Sequence, residues 1–465
     1  MRNVRLGFVP AHRYPFDEPW AITLRERCIR ALEGVPAVEL VYPSTDLILN
    51  GLVRDDATAE ATIALFREQQ VEGVVIGTMT FGDEVSAVSV AEALGVPVLV
   101  FGTKEPPFTT DGKRHSDSFC GTLSVTSGLY RHKIPYQFAG IFFPEEEAFL
   151  ASIADFARSC AAVESFMGTR VGMVGLRPER FETCITNEVA LINAFGQRVV
   201  PLNLTDLFAQ ANALPESDPA VQAAMNVMQA ESNCSSCRPG ALLKAARLEA
   251  ALTAFAKRKS LSGMGISCWN DIQEQYGICA CTTVARLTQN GIMAACEVDV
   301  LGALTMLVQY QAALTEQVPH FIDWTIQHQE LDNVFLAWHC GNASACLAAD
   351  PAQVTLRDQA IMSEVVGAER AGMAQEFQLA PGRVTLCRLV EYDGLFKMLV
   401  TTGEILPSND DLRGSWAWVR VDDLAVLYRT LAEEGFTHHA SMIHGDLADP
   451  ITGFCHFAGI EVVRV

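Results

Sequence analysis

Through the first third of the chain, short apolar runs alternate with stretches of helical spacing. Val4 to Val9 is an apolar run ending at Pro10, Pro19 to Leu32 has helical spacing, and Val38 to Tyr42 is apolar again. Thr58 to Gln69 then reads as a helix, Glu72 to Gly77 as a buried strand, Val88 to Leu94 as a helix and Pro97 to Phe101 as a strand. Apolar strands separated by helices predict a parallel, doubly wound sheet, whose ligand crevice lies beyond the carboxyl ends of its strands. The loops leaving those ends, Ala11-His12-Arg13, Thr78 to Phe81 and Gly102-Thr103-Lys104, are polar where a ligand would bind.

A long helical region, Glu145 to Phe166, leads into a second βα series that begins at Arg170 to Val174. Its later strands are predicted at Val199-Val200, Gly263 to Ser267, Met293 to Ala295 and Val334 to Ala337, with helices such as Ala241 to Lys257 between them. Asn203 to Ser232 is weakly patterned and predicts an insertion or lid. Beyond about Asp350 the texture becomes β. Arg383 to Val390, Leu395 to Thr401 and Trp416 to Val421 read as strands joined by Gly, Pro and Asp turns, with one helix at Asp423 to Glu433. The expected fold is α/β: two Rossmann-like doubly wound domains, residues 1–165 and 166–349, then a mainly β, barrel-like domain over 350–465.

A length of 465 residues accommodates about three such domains. With 49% hydrophobic and 19% charged residues, the composition is that of an ordinary globular protein. The formal net charge of −21 repels polyphosphate, which makes nucleic acid and anionic membrane poor partners. No stretch approaches the ~18 uninterrupted apolar residues of a membrane helix, and the apolar run at the start is too short for a signal peptide. A cytoplasmic location is expected. The 14 cysteines mostly sit in apolar segments, as reduced buried thiols do. Cys234-Ser-Ser-Cys237 lacks the second pair of a zinc ribbon and reads as a loop turn, and Gly172-Met-Val-Gly175 is not a full nucleotide fingerprint.

The densest chemistry lies between Cys268 and Thr305. Asp271, Glu297 and Asp299 are acids in apolar surroundings, where carboxylates are paired, hydrogen-bonded or bound to a cation. Extended residues two apart project to one face, so Glu297 and Asp299 can converge at a strand end. Capping of the following helix would account for Asp299 but not for Glu297. Asp271 sits just past the predicted strand Gly263 to Ser267, at the same end. Histidines cluster late, at His438, His439 and His444. Adjacent histidines on a strand point to opposite faces, so at most one of His438 and His439 faces a given site. Three carboxylates and one imidazole make a hard site that suits Mn²⁺ or Mg²⁺. Such an ion polarises the carbonyl of an open-chain sugar while a carboxylate moves a proton between neighbouring carbons, which is aldose–ketose isomerisation through an enediol.

The motifs Cys268-Trp269 followed by Asp271, Tyr276-Gly-Ile-Cys-Ala-Cys281, Gly291-Ile, Ala295 to Thr305, Trp338 to Ser344, His438 to Asp446 and Ser118-Phe-Cys-Gly121 carry a resemblance. Together they resemble the signature of L-fucose isomerase-like proteins, relatives of L-fucose and L-arabinose isomerases. The resemblance implies two α/β domains and a β-rich C-terminal domain, Mn²⁺ bound through a Glu, an Asp and a His, and a homo-oligomer, trimer or hexamer. It assigns Asp299 and His439 to the metal, the latter from the C-terminal domain, and Asp271 in preference to Gln273 or Glu274 as the acid near the Cys-Trp motif. The chain departs from its relatives in carrying Asn270 in place of Pro, and Asp in place of Glu at 271.

The expected site thus has Glu297, Asp299, Asp271 and His439 around Mn²⁺, with Mg²⁺ or Co²⁺ as alternatives, and Asp271 and Asp299 as the catalytic carboxylates. His12, Arg13, Thr80, Arg177, Trp269, Asn342 and Ser344 are expected to contact the sugar. A fucose- or arabinose-like substrate comes first. A sulfonated or acidic sugar such as sulfoquinovose is the alternative, in which Arg13, Arg177 or Lys104 would meet the anionic tail. A non-catalytic sugar-binding or regulatory protein is the competing class.

Overall fold

A computed structural model describes residues 2–105, 112 and 114–465. The chain forms two compact units, Met1–Glu164 with Asp449–Gly459, and Ser165–Ala448 with Ile460–Val465. No helix among the described residues is long and apolar enough to cross a membrane.

The first unit is built on five parallel strands, β1 (Val4–Ala11), β2 (Val38–Val41), β3 (Gly73–Thr78), β4 (Val98–Thr103) and β5 (Tyr136–Phe142), in the order β2-β1-β3-β4-β5. β3 and β4 are buried along their whole length, as their unbroken apolar runs require. Helices Glu18–Glu33, Asp56–Glu68 and Glu84–Leu94 start at Asp17, Asp55 and Asp83, and each aspartate accepts a backbone N–H of the first turn. The strand order reverses between β1 and β3, so the loops carrying His12 and Thr80 meet at the switch point where this topology opens a crevice. The helix Ala448–Ala458 is anchored in this unit at Pro450, whose carbonyl accepts from Ser159 Oγ at 2.8 Å.

The second unit begins with four parallel strands, β6 (Arg170–Val174), β7 (Arg198–Leu202), β8 (Gly263–Ile266) and β9 (Met293–Cys296), in the order β7-β6-β8-β9. The stretch read as an insertion or lid is instead two helices, Leu204–Ala213 and Pro219–Glu231, packed on the helix Ala241–Lys259. Their buried stripe includes Leu207, Ala211, Val221, Ala224 and Met228. Alanines at helical spacing give a shallow contrast, which hides the amphipathic pattern in the sequence. Cys234 and Cys237 form a turn, with Cys237 N–H donating to Cys234 O at 2.9 Å. Burial and the neighbouring thiol push Cys237 up to about 12, far from a reactive thiolate.

Nine further strands form one mixed sheet: β10 (His320–Gln327), β11 (Val334–His339), β12 (Thr355–Asp358), β13 (Gly372–Gln378), β14 (Gly382–Tyr392), β15 (Leu395–Ile405), β16 (Ser415–Val421), β17 (His439–His444) and β18 (Glu461–Arg464). A further pairing of β15 with β16 closes the ring β16-β11-β10-β17-β14-β15, a barrel with Phe335, Ala337, Leu386, Leu399 and Val419 in its core. The sequence assigns Val334 to Ala337 to the second α/β series. In the structure that segment is β11, antiparallel between β10 and β16. A buried barrel strand and a buried parallel strand read alike. Because barrel hydrogen bonds run across residue 350, the compact units divide at Glu164 and not there.

Candidate active site

β9 ends at Cys296, and the next two residues turn sharply: Glu297 and Val298 both have left-handed φ, 60° and 59°. The turn is closed by Val298 N–H donating to Ile266 O (3.2 Å) and Asp299 N–H donating to Cys296 O (3.0 Å). It fits against β8 only because residue 265 is glycine, since a Cβ there would lie 2.6 Å from the Val298 carbonyl carbon. Asp299 then caps the helix Val300–Ala312, its Oδ1 accepting from Gly302 N at 2.7 Å. Both carboxylates are thereby held at the strand end without being equivalent.

The barrel supplies the other groups. In the antiparallel register Asp323 of β10 stands opposite His439 of β17 on one side and Trp338 of β11 on the other, and His339 follows at the end of β11. His439 is 1% exposed. Its Nδ1 lies 2.8 Å from Asp299 Oδ2, and its Nε2 lies 3.0 Å from Glu297 Oε2 and 3.7 Å from Asp323 Oδ1. The donor atoms of Asp323, His339 and His439 all fall within 4.8 Å of one another, as do those of Cys184, Glu297 and His439.

Asp323 Oδ1 and His339 Nε2 are buried without a hydrogen-bond partner, and Glu297 Oε2 and His439 Nε2 face each other at 3.0 Å. The donors fall into two groups that share His439, Cys184 with Glu297 and Asp323 with His339, and since an orphaned buried polar atom costs roughly 1–3 kcal/mol these groups call for a partner. Donors held roughly 2.0–2.5 Å from a hard cation lie about 3 Å apart when adjacent, close to the shortest separation here. Two carboxylate oxygens and two imidazole nitrogens are a set that Mn²⁺ accepts. The residues therefore fit a divalent cation.

Asp299 stands behind this set. Its second neighbour is Arg388 of β14, both side chains being almost fully buried, with Arg388 Nη2 donating to Oδ1 at 3.3 Å and Nη1 donating to Oδ2. Burial alone would raise the Asp299 carboxyl, but the Arg388 charge and the His439 hydrogen bond outweigh it and hold the pKa far below the usual range. Burial likewise opposes ionisation of Glu297, and the imidazoles of His438 and His439 overcome it to hold that carboxyl at about 2. For His439, burial is outweighed by Asp299, Cys184 and Glu297, which raise its pKa well above 6.5. A carboxylate on Nδ1 orients the ring so that Nε2 points at the donor set, an arrangement common behind metal-bound histidines.

The alternation argument for the two histidines does not hold. β17 starts at His439, so His438 lies outside the strand and is free of its up-down pattern. The two rings sit 4.1 Å apart, and His438 Nε2 comes within 3.9 Å of Glu297 Oε2. Asp271 is not part of the converging group. It precedes the helical turn Ile272–Tyr276 without a capping hydrogen bond, half-buried, and its Oδ1 accepts from Gln275 Nε2 at 3.1 Å. Trp269 packs its ring 5.7 Å from Phe181.

Among the residues expected to contact sugar, several have structural partners. Asn342 donates to Cys296 Sγ (3.6 Å) and Ser344 to Ala285 O (3.0 Å), both buried. In the first unit His12 Nδ1 is hydrogen-bonded to Thr80 Oγ1 at 2.8 Å, and Arg13 pairs with Asp83 and Glu84 while lying over the Phe81 ring. Arg177 remains exposed. Sequence reasoning missed Asp323, His339, Arg388 and Cys184. Asp323 did carry a signal, as the one acid in its strand, and His339 lies within a motif already noted for its resemblance.

Residues 7–167 match the N-terminal domain of fucose/sulfoquinovose isomerase, and residues 337–465 match the L-fucose isomerase C-terminal domain. The chain belongs to the fucose isomerase-like family. Members similar to it include a sulfoquinovose isomerase of Alkalicoccus urumqiensis, 25% identical over 85% of this chain and 86% of that one. One of Priestia aryabhattai is 23% identical over 99% of both chains, and one of Clostridium sp. (strain MSTE9) is 26% identical over 83% and 85%. As a member of this family the chain is an aldose–ketose isomerase, and the reading as a non-catalytic sugar-binding protein gives way. A periplasmic solute-binding protein of Actinobacillus succinogenes 130z with bound D-allose covers 68% of this chain and 93% of its own at 9% identity, but its TM-score of 0.17 carries no argument. Neither family match reaches Glu297, Asp299 or Asp323, which fall in the stretch covered by the Priestia relative.

Proposed function

We propose that this protein isomerises an open-chain sulfonated aldose of the sulfoquinovose type to its ketose, with Mn²⁺ held by Glu297, Asp323, His339 and His439. The observation that carries the substrate class is the near end-to-end match to relatives named sulfoquinovose isomerase. It reverses the order of the sequence reading, which put a fucose- or arabinose-like sugar first. The two donor groups that share His439 support the metal.

When bound, the cation would polarise the sugar carbonyl. The chain's own residues do the rest. Asp299 and Arg388 fix the His439 ring, and Trp269 and Phe181 form an aromatic wall beside His438. Asp299 is too strongly held as an anion to take a proton, since capping, the ion pair and the imidazole all stabilise its charge. We assign the proton transfer between C2 and C1 to Asp271, which is half-buried, lies two residues beyond Trp269 of the aromatic wall and accepts one hydrogen bond, from Gln275 Nε2.

Three variants and a substrate panel test this. With added Mn²⁺, wild-type protein converts sulfoquinovose to its ketose, followed by NMR. Asp271→Asn retains Mn²⁺ and lowers kcat on the order of 10²- to 10⁴-fold, the range for loss of a positioned acid–base group. Glu297→Gln and Asp323→Asn lose the metal together with activity. Turnover of L-fucose or L-arabinose in preference to sulfoquinovose would overturn the substrate, and an Asp323→Asn protein with full Mn²⁺ content would overturn the ligand set.

A further inference from the structure

A sugar with an anionic tail needs a cationic counter-group. Of the cations singled out in the sequence, Arg13 is held by Asp83 and Glu84, and Lys104 by Glu146. Arg388, the cation beside the donor set, is committed to Asp299. Arg177 differs from all three. It is exposed and makes no hydrogen bond or ion pair among the described residues, and the same holds for Arg180 three positions on.

Both arginines lie on segment 175–184, which leaves the carboxyl end of β6. It departs at Gly175, where φ is 80° and a Cβ would lie 2.7 Å from Ser267 Cβ. The segment then folds on itself, with Phe181 N–H donating to Pro178 O (3.2 Å) and Cys184 N–H donating to Phe181 O (3.1 Å). Its inner side meets the histidine pair: the Phe181 ring is 6.0 Å from that of His438, and Cys184 Sγ is 4.0 Å from His439 Nδ1. Arg180 directly precedes Phe181 and has φ of 70°, the left-handed region that a residue with a side chain seldom adopts. Two guanidinium groups without protein partners thus rise from the segment that borders the donor set.

We propose that Arg177 and Arg180 form the anion subsite that selects a sulfonate at C6 of the sugar. The inference rests on the function proposed above. A hexose gripped at its carbonyl end carries C6 at its far end, and a subsite on a flanking loop receives that end. The planar guanidinium fork donates two parallel hydrogen bonds to a pair of sulfonate oxygens, and its weak hydration makes the exchange of water for sulfonate favourable. A neutral 6-methyl or 6-hydroxyl group gains nothing comparable from two positive charges.

The test uses the full chain loaded with Mn²⁺, with kcat and KM measured for sulfoquinovose and for its neutral 6-deoxy analogue, quinovose. In R177Q/R180Q, kcat/KM for sulfoquinovose falls about 10- to 100-fold through KM, the effect of removing charged hydrogen bonds, and the preference over quinovose collapses. R177K/R180K restores part of that preference. If the double variant fails to fold, R177Q and R180Q singly decide, each raising KM for sulfoquinovose severalfold. Retention of wild-type KM and preference in the folded variants overturns the subsite while the proposed function stands. A wild-type protein that isomerises neutral sugars but not sulfoquinovose overturns the function, and the subsite with it.

Discussion

Asp299 shows how one buried carboxylate is defined by its neighbours. It accepts from a helix N-terminus, from Arg388 and from His439, so each of its oxygens is already engaged. Removing one partner of a buried ion pair leaves the other charge uncompensated, which destabilises by roughly 3–5 kcal/mol. Arg388→Met is therefore expected to lower stability by about that amount in denaturant titration, and to weaken Mn²⁺ binding about 10- to 100-fold through the freed His439 ring. A variant with wild-type Mn²⁺ affinity would show that Asp299 does not act through the imidazole. A second prediction concerns His12, fully buried against Thr80. Burial, and then the charge of Arg54, push its pKa from 6.5 down to about 4. The folded state binds this proton less well than the unfolded chain, so stability is complete above about pH 6.5 and is lost as pH falls toward 4. At pH 5 the loss is about 2 kcal/mol. His12→Asn, which keeps a polar atom near Thr80, is expected to show a smaller drop in Tm between pH 7.5 and 5 than wild type does. Glu297 and Asp299 were legible in the sequence because two acids in an apolar run need a reason. The convergence of Asp323 and His339 on His439 was not, because only strand register brings β10, β11 and β17 side by side.

At the scale of elements, the site depends on a turn that neither propensity nor hydrophobic pattern favours. Glu297 and Val298 occupy left-handed φ without being glycine, at a cost of about 1–2 kcal/mol each. Contacts around the turn enforce that geometry, above all the close approach of Val298 to Gly265 on β8. Gly265→Ala places a methyl group 2.6 Å from the Val298 carbonyl carbon, and backbone cannot yield as a side-chain tip can. The expected result is a displaced turn, a stability loss of about 1–3 kcal/mol and Mn²⁺ affinity reduced by an order of magnitude or more. Metal titration alongside thermal unfolding separates the two effects, and unchanged metal affinity would show that the turn does not position Glu297. The βα alternation of both parallel sheets was readable from period alone. The fate of Val334 to Ala337 was not, since an apolar strand carries no mark of the sheet it will join, and the helices over 204–231 were masked by alanine.

At the scale of the second unit, the proposed ligands come from two sheets. Glu297 is delivered by the four-stranded parallel sheet, and Asp323, His339 and His439 by the barrel. These strands lie far apart in sequence, and a cation bound to all four residues would link them directly. A ligand that binds only the folded state stabilises it by RT ln(1 + [L]/Kd), about 2.7 kcal/mol when free Mn²⁺ is about 100-fold above Kd. For a unit of this size that corresponds to a rise in Tm of about 4 °C. The gain should be local as well. Hydrogen exchange is expected to slow in peptides spanning 293–299, 320–327, 334–340 and 437–444 when Mn²⁺ is added and to recover with chelator, while β1 and β3 of the first unit stay as they were. Slowing confined to 293–299 would place the ion on Glu297 alone, and slowing in the barrel strands without 293–299 would remove Glu297 from the ligand set. Protection in all four segments at once requires one ion held by both sheets.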